Sequence, residues 1–183
     1  MDASINFYSS LELVDLSHNG LVSVPARSFK SQRALLDLRL NHNRISDLSA
    51  GSFAGLTSLT SLQLRHNLLT RLRADWLAEL VSLEELRLSA NRIATVHPEA
   101  FSTLARLRVL ALDGNRLTGV PSEALVNLPS LTHLNLAGNN IQVYIYLLND
   151  NQCTILIMNL AYDFIEIDSL KYIWIFYKIH TQI

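Results

Sequence analysis

Three histidines, His18, His42 and His66, lie 24 residues apart, and each stands directly before an asparagine. Imidazoles repeated at a fixed interval offer two kinds of chemistry. They can converge on a divalent metal ion, or they can titrate as a patch, because protonated neighbours repel near pH 6. The plainer expectation is a partly exposed position in which histidine recurs through duplication of a repeat. Catalysis has less to stand on. Cys153 is the only cysteine, which excludes an intrachain disulfide framework and a thiolate metal site. No G-x-S-x-G, P-loop, H-E-x-x-H or dinucleotide fingerprint occurs. Glu84 and Glu85 are adjacent, but neighbouring side chains on an extended chain point to opposite faces, so they are not a cooperating carboxylate pair. The expectation is a protein that is not an enzyme, with no cofactor and no metal.

The asparagines set the phase of everything else. Asn19, Asn43, Asn67, Asn91, Asn115 and Asn139 are spaced 24 residues apart without a slip. Around them run LELVDLSHNGL, LLDLRLNHNRI, LTSLQLRHNLL, LEELRLSANRI, LRVLALDGNRL and LTHLNLAGNNI. Five of these six follow L-x-x-L-x-L-x-x-N-x-L/I, and the first has Val14 at its second apolar position. The second half of each unit keeps the phase more loosely. Val24, Leu48, Leu72, Val96 and Val120 come first, then Phe29, Phe53, Leu77, Phe101 and Leu125. Leu56, Leu80, Leu104 and Leu128 close the unit, where the first unit has Gln32.

These residues resemble the leucine-rich repeat family, and the 24-residue period with Phe in the second half is similar to its typical subclass. The resemblance covers residues 11–141 and implies a solenoid fold. The residues support that shape on their own terms. The alternating apolar positions have the period of a strand with one buried face. A strand so short cannot turn directly into another, so each unit must loop back before pairing with the next. The expected architecture is an α/β-type repeat: a parallel sheet on the concave side, with loops or 3₁₀ turns on the convex side. One unit buries roughly six or seven apolar side chains at about 1.5–3 kcal/mol each. Ordering its residues costs roughly 1–2 kcal/mol each. A unit alone loses; stacked units share burial and ladder hydrogen bonds, so the ends are the weak points. The six asparagines are read as a structural ladder, each amide satisfying backbone groups where the strand bends into the loop.

With the Leu positions inside, the residues between them face outward in columns. One column reads Leu13, Asp37, Ser61, Glu85, Val109, His133, and the next Asp15, Arg39, Gln63, Arg87, Ala111, Asn135. A third reads Ser17, Asn41, Arg65, Ser89, Asp113, Ala137. The family usually binds through this face, so the resemblance implies a protein partner there. The candidate contacts are Asp37, Arg39, Gln63, Arg65, Glu85, Arg87, Asp113, His133 and Asn135. Asp37, Arg39, Glu85 and Arg87 lead the set, because arginine forks and carboxylates are selective in geometry. The plainer alternative is a solvated sheet face, and the columns hold no aromatic of the hot-spot type. Net charge is −1, and the face is close to neutral, which argues against nucleic acid.

The resemblance to animal extracellular proteins implies a cell-surface or secreted receptor or adhesion protein. An intracellular scaffold and an innate-immune ligand-sensing receptor remain alternatives. The first ten residues have no basic or apolar region of a signal peptide, neither end carries a cysteine-rich cap, and no N-x-S/T sequon occurs. The expectation is therefore a fragment of a longer extracellular protein. No apolar tract reaches the roughly 18–20 residues of a membrane-spanning helix. Residues 1–10 are a lead-in, and composition changes after residue 141. All 12 Arg, 6 Gly and 4 Pro precede residue 142, while 9 of 13 Ile follow it. One repeat beyond Leu131 falls at Ile155, which puts Met158, Leu160, Asp163 and Ile165 on the frame. Two readings stay open for residues 142–165: a degenerate seventh repeat, or sequence foreign to the module. Residues 166–183 form a tail without a trusted frame.

Overall fold

The computed structural model describes residues 10–149, 152–159 and 165–166. Each unit gives a three-residue strand to one sheet and then loops back. The first unit holds β1 (Leu13–Asp15) and β2 (Ser23–Val24), and the second β3 (Asp37–Arg39) and β4 (Asp47–Leu48). The third holds β5 (Ser61–Gln63) and β6 (Arg71–Leu72), and the fourth β7 (Glu85–Arg87) and β8 (Thr95–Val96). The fifth holds β9 (Val109–Ala111) and α1 (Ser122–Leu125), and the sixth β10 (His133–Asn135). The four-residue α1 is the one helix among the described residues, so the convex side is built from turns and two short strand pairs, β2–β4 and β6–β8. No helix among the described residues is long and apolar enough to cross a membrane.

The main sheet runs β1–β3–β5–β7–β9–β10, every pair parallel and shifted by one repeat. The central residue of each strand is buried and its two neighbours lie toward the concave side. Val14, Leu38, Leu62, Leu86, Leu110 and Leu134 thus form one column of a continuous core. Phe29, Phe53 and Phe101 are buried on its other side, with Phe29 stacked on Phe53 at 6.3 Å between ring centroids. Gln32, standing where later units have Leu, is also fully buried.

The bend after each strand is where the asparagines act. Asn91 Nδ2 donates to Leu64 O in the preceding unit (2.8 Å) and to Leu88 O in its own (3.0 Å). Its Oδ1 accepts from Leu69 N at 3.1 Å. Asn67, Asn115 and Asn139 repeat this arrangement. Asn43 makes the same contacts to Leu16 O and Leu40 O, and its Oδ1 takes two N–H groups, of Asn19 and Leu21. The carbonyls of Leu40, Leu64, Leu88 and Leu112 therefore each accept from two asparagines, one in their own unit and one in the next. Asn19, at the first unit, is exposed and donates to Ser17 O.

The residue before each ladder asparagine has a positive φ: His18 60°, His42 52°, His66 54°, Ala90 54°, Gly114 64° and Gly138 65°. The chain must turn left-handed here to swing the amide inward. That conformation costs a residue with a Cβ roughly 1–2 kcal/mol and glycine almost nothing. The histidine column is thus also a conformational column, a property that the repeat of residue types did not disclose.

After Ile141 the chain forms an antiparallel hairpin of β11 (Gln142–Asn149) and β12 (Gln152–Asn159), in a sheet of its own. Ile155 pairs with Tyr146 in that hairpin and does not lie beside β10. The strand that extends the main sheet is β13 (Ile165–Glu166), which runs antiparallel to β10 with Ile165 opposite Leu134. Ile165 and Met158 therefore sit in different sheets, and Leu160 and Asp163 lie outside the described residues.

Replacing Asn91 by Ala removes the partner of Leu69 N–H and one of the two donors at Leu64 O and Leu88 O. The expected loss is about 2–4 kcal/mol, whereas Asn19→Ala, at an exposed position, should cost less than about 1 kcal/mol. Urea unfolding of the two variants checks the difference.

Candidate binding face

The parallel register lines up the concave columns as the alternation requires. Leu13, Asp37, Ser61, Glu85, Val109 and His133 are successive Cα partners, as are Asp15, Arg39, Gln63, Arg87, Ala111 and Asn135. Adjacent strands are about 4.8 Å apart, so each column is a tight ladder of side chains.

The four leading candidates are brought together as two pairs. Arg39 forks onto Asp37, with Nε at 2.9 Å and Nη2 at 2.7 Å from the same carboxylate oxygen. Arg87 bonds Glu85 through Nε and Nη2. Both pairs are i and i+2 on one strand, so they share a face, and both are part-buried. Asp37 holds the Arg39 guanidinium still more firmly charged than usual, with Asp15 adding to the effect. The charges therefore satisfy each other within a strand before any partner arrives.

The third column is cross-linked between units. Asn41 Nδ2 donates to Gln63 Oε1 (3.0 Å), Arg65 N donates to Asn41 Oδ1 (2.9 Å), and Ser89 Oγ donates to Asp113 Oδ1 (2.7 Å). Asp15 accepts the Ser17 N–H (2.9 Å), and Asn135 accepts the Ala137 N–H (3.0 Å). Hydrogen bonding from Ser17 is the main reason the Asp15 carboxyl lies below its ordinary range, with Arg39 and His18 contributing. His133 is exposed beside the Thr132 hydroxyl, 3.0 Å away.

The face is asymmetric along the solenoid. From the second to the fourth unit it presents bonded charges and amides, while β9 and the adjoining bends present Val109, Ala111, Ala90, Gly114, Ala137 and Gly138. The columns contain this shift, but reading each for charged residues hides it. The histidines stand at the edge of the face. His18 stacks on His42 with centroids 4.4 Å apart and planes 10° apart, and His42 on His66 at 4.3 Å and 12°. Ring lone pairs lie in the ring planes, so an ion bonded in one plane is well out of the next. The stack cannot converge on a single metal. On the convex side, Phe53, Ala54, Asp75, Trp76 and Glu79 line a shallow recess. Its carboxylates are already engaged: Asp75 by Arg73, and Glu79 by the Gly55 N–H.

A 24-residue coil, a parallel sheet in one-repeat register and a buried asparagine ladder point to one family. The leucine rich repeat profile matches residues 9–69, 38–93 and 81–141. The chain belongs to the leucine-rich repeat family. No curated protein matches it by sequence. Among solved structures it is similar to TLR13 in a complex with ssRNA13, at 37% identity and a TM-score of 0.67 over 69% of this chain and 18% of that one. It is likewise similar to Drosophila Toll in its glycosylated complex with Spatzle, at 32% identity and a TM-score of 0.68, covering 73% of this chain and 20% of that one. The leucine-rich repeat chain thus spans about a fifth of these relatives.

Because the two ion pairs are half-exposed, each contributes little to stability. Arg87→Ala or Arg39→Ala should cost less than about 1 kcal/mol, and thermal denaturation within a few degrees of wild type is the expected reading.

Proposed function

We propose that this chain is a non-catalytic protein-interaction module whose partner docks on the concave sheet face, as part of a cell-surface or secreted receptor or adhesion protein. The observation that carries the reading is the pair of arginine–carboxylate forks, Arg39–Asp37 on β3 and Arg87–Glu85 on β7. They sit in the same two columns with Ser61 and Gln63 between them. Forks held by their own strand lose little side-chain freedom on binding, so they favour selection by geometry over raw attraction. Asp37 Oδ1 and Arg65 Nε are buried without a hydrogen-bond partner among the described residues, which leaves polar groups for a repacked interface to satisfy.

Charge supports a protein partner over a polyanion. Arg39, Arg65 and Arg87 on this face meet Asp15, Asp37, Glu85 and Asp113, and no basic stripe results. The likeness to Toll in a complex with Spatzle supports the same reading. Gln63, Arg65, Asp113, His133 and Asn135 complete the proposed contact set around the forks.

The test exchanges partners within each fork: Asp37→Arg with Arg39→Asp, and Glu85→Arg with Arg87→Glu. The variant keeps both ion pairs and the net charge, so its thermal midpoint should stay near that of wild type. Affinity capture of surface-labelled proteins should lose the partners recovered by wild type. Recovery unchanged by the exchange removes the concave face as the binding site.

A further inference from the structure

The stacked imidazoles bear on the joint between the first two described units. That joint is made by the β1–β3 and β2–β4 pairings, by the Asn43 amide that bonds Leu16 O, Asn19 N and Leu21 N, by the Ser52 hydroxyl on Val24 O, by the Phe29–Phe53 contact in the core and, at the edge of the concave face, by the His18–His42 stack. His42 then stacks on His66 of the third unit. All three rings are exposed and reachable by solvent protons.

The charges around the stack are uneven. His42 is faced by His18 from the first unit and by His66 and Arg65 from the third, all neutral or cationic. His18 is faced by Asp15, an acid on its own unit, and by His42. A proton on His42 therefore has to enter between two imidazoles stacked 4.4 Å and 4.3 Å away, with the Arg65 guanidinium nearby. Like charges at such contacts repel, and the stack lies across both joints of the first three units.

We propose that the His18–His42–His66 stack is an acid-sensitive clasp: it closes the first unit onto the solenoid at neutral pH and releases it in mildly acidic solution. Its direction follows from linkage. Partial desolvation within the stack, then His66, His18 and Arg65, hold the His42 imidazole below its ordinary value near 6.5. The opened unit therefore binds a proton more readily than the closed one. Stability is complete above the ordinary value and declines as pH falls below it toward the lower folded value.

Hydrogen exchange of the full chain at pH 7.5 and pH 5.5, corrected for intrinsic exchange rates, tests the clasp. The lower pH stays above the range in which Asp15 titrates. Amides of residues 13–24 should open about tenfold more often at pH 5.5, with residues 107–120 unchanged. In His42→Asn, whose side chain tolerates the left-handed bend but does not titrate, the two pH values should agree within about threefold. His42→Gly, which also removes the backbone strain, should behave the same way and serves if the first variant folds poorly. An equal acid response in wild type and both variants overturns the proposal. So does opening spread evenly over all units, or no opening at all.

Discussion

The asparagine amide between two turns of the coil is the contact on which the rest depends. At each bend the chain leaves the sheet and its carbonyls and N–H groups turn inward, away from water and from ladder partners. A buried unpaired group of this kind costs on the order of 1–3 kcal/mol. One side chain with two donors and an acceptor meets the need, and its reach couples unit to unit. Asn115, for example, joins Leu88 O, Leu112 O and Ile93 N, groups that span two units. The sheet and the leucine core fix which way each turn faces; the amide fixes how closely the next turn follows. The spacing of each asparagine three residues after the carbonyl it bonds in its own unit is the signature of that coupling, because one residue added between them would carry the amide away from both carbonyls.

The coupling also explains what the ladder tolerates beside it. Non-glycine residues at positive φ are strained, yet His18, His42, His66 and Ala90 all accept it one residue before the ladder. In a structure with additive neighbour contacts, a cost repeated in each unit survives only where the contacts on either side exceed it. The last two such positions are Gly114 and Gly138. There a Cβ would come within 3.5 Å of the neighbouring bend's backbone, at Ala90 and at Gly114 respectively. The column thus passes from stacked rings to alanine and then to glycine along the solenoid.

Sequence alone carried most of the fold, because leucine phase and asparagine spacing are one-dimensional records of a one-dimensional stack. The column assignments for Asp37, Arg39, Glu85 and Arg87 followed from strand alternation, and the register aligns those same columns. Their pairing was legible in principle, since i and i+2 on a strand share a face, but reading columns across units drew attention from contacts along the strand. The 24-residue interval of the histidines marked them as neighbours, while their positive φ was not legible, because histidine's own propensities give no hint of a left-handed bend. Gln32 shows the same limit: a polar residue in a leucine slot reads as a break, yet it is buried with the rest. Beyond Ile141 apolar residues are so frequent that a frame match carries little information about which strand pairs with which.

This architecture separates the groups that hold the coil together from those that face outward on the concave side. The groups that hold the coil together, the leucines and the amides, point inward or lie in the bends. The concave residues on either side of each central strand position touch the core little. They can change from Asp and Arg to Ala and Val between the second and fifth units while the register stays fixed. A face of that kind acquires specificity cheaply, since a substitution there alters what a partner meets without disturbing the ladder. The arginine–carboxylate forks gain from the same arrangement. The strand holds each guanidinium against its own carboxylate, so the face gathers charge without net repulsion. Under the docking proposed above, a partner has to match two fixed dipoles two strands apart, with Ser61 and Gln63 between them. That constraint is one of shape as much as of charge.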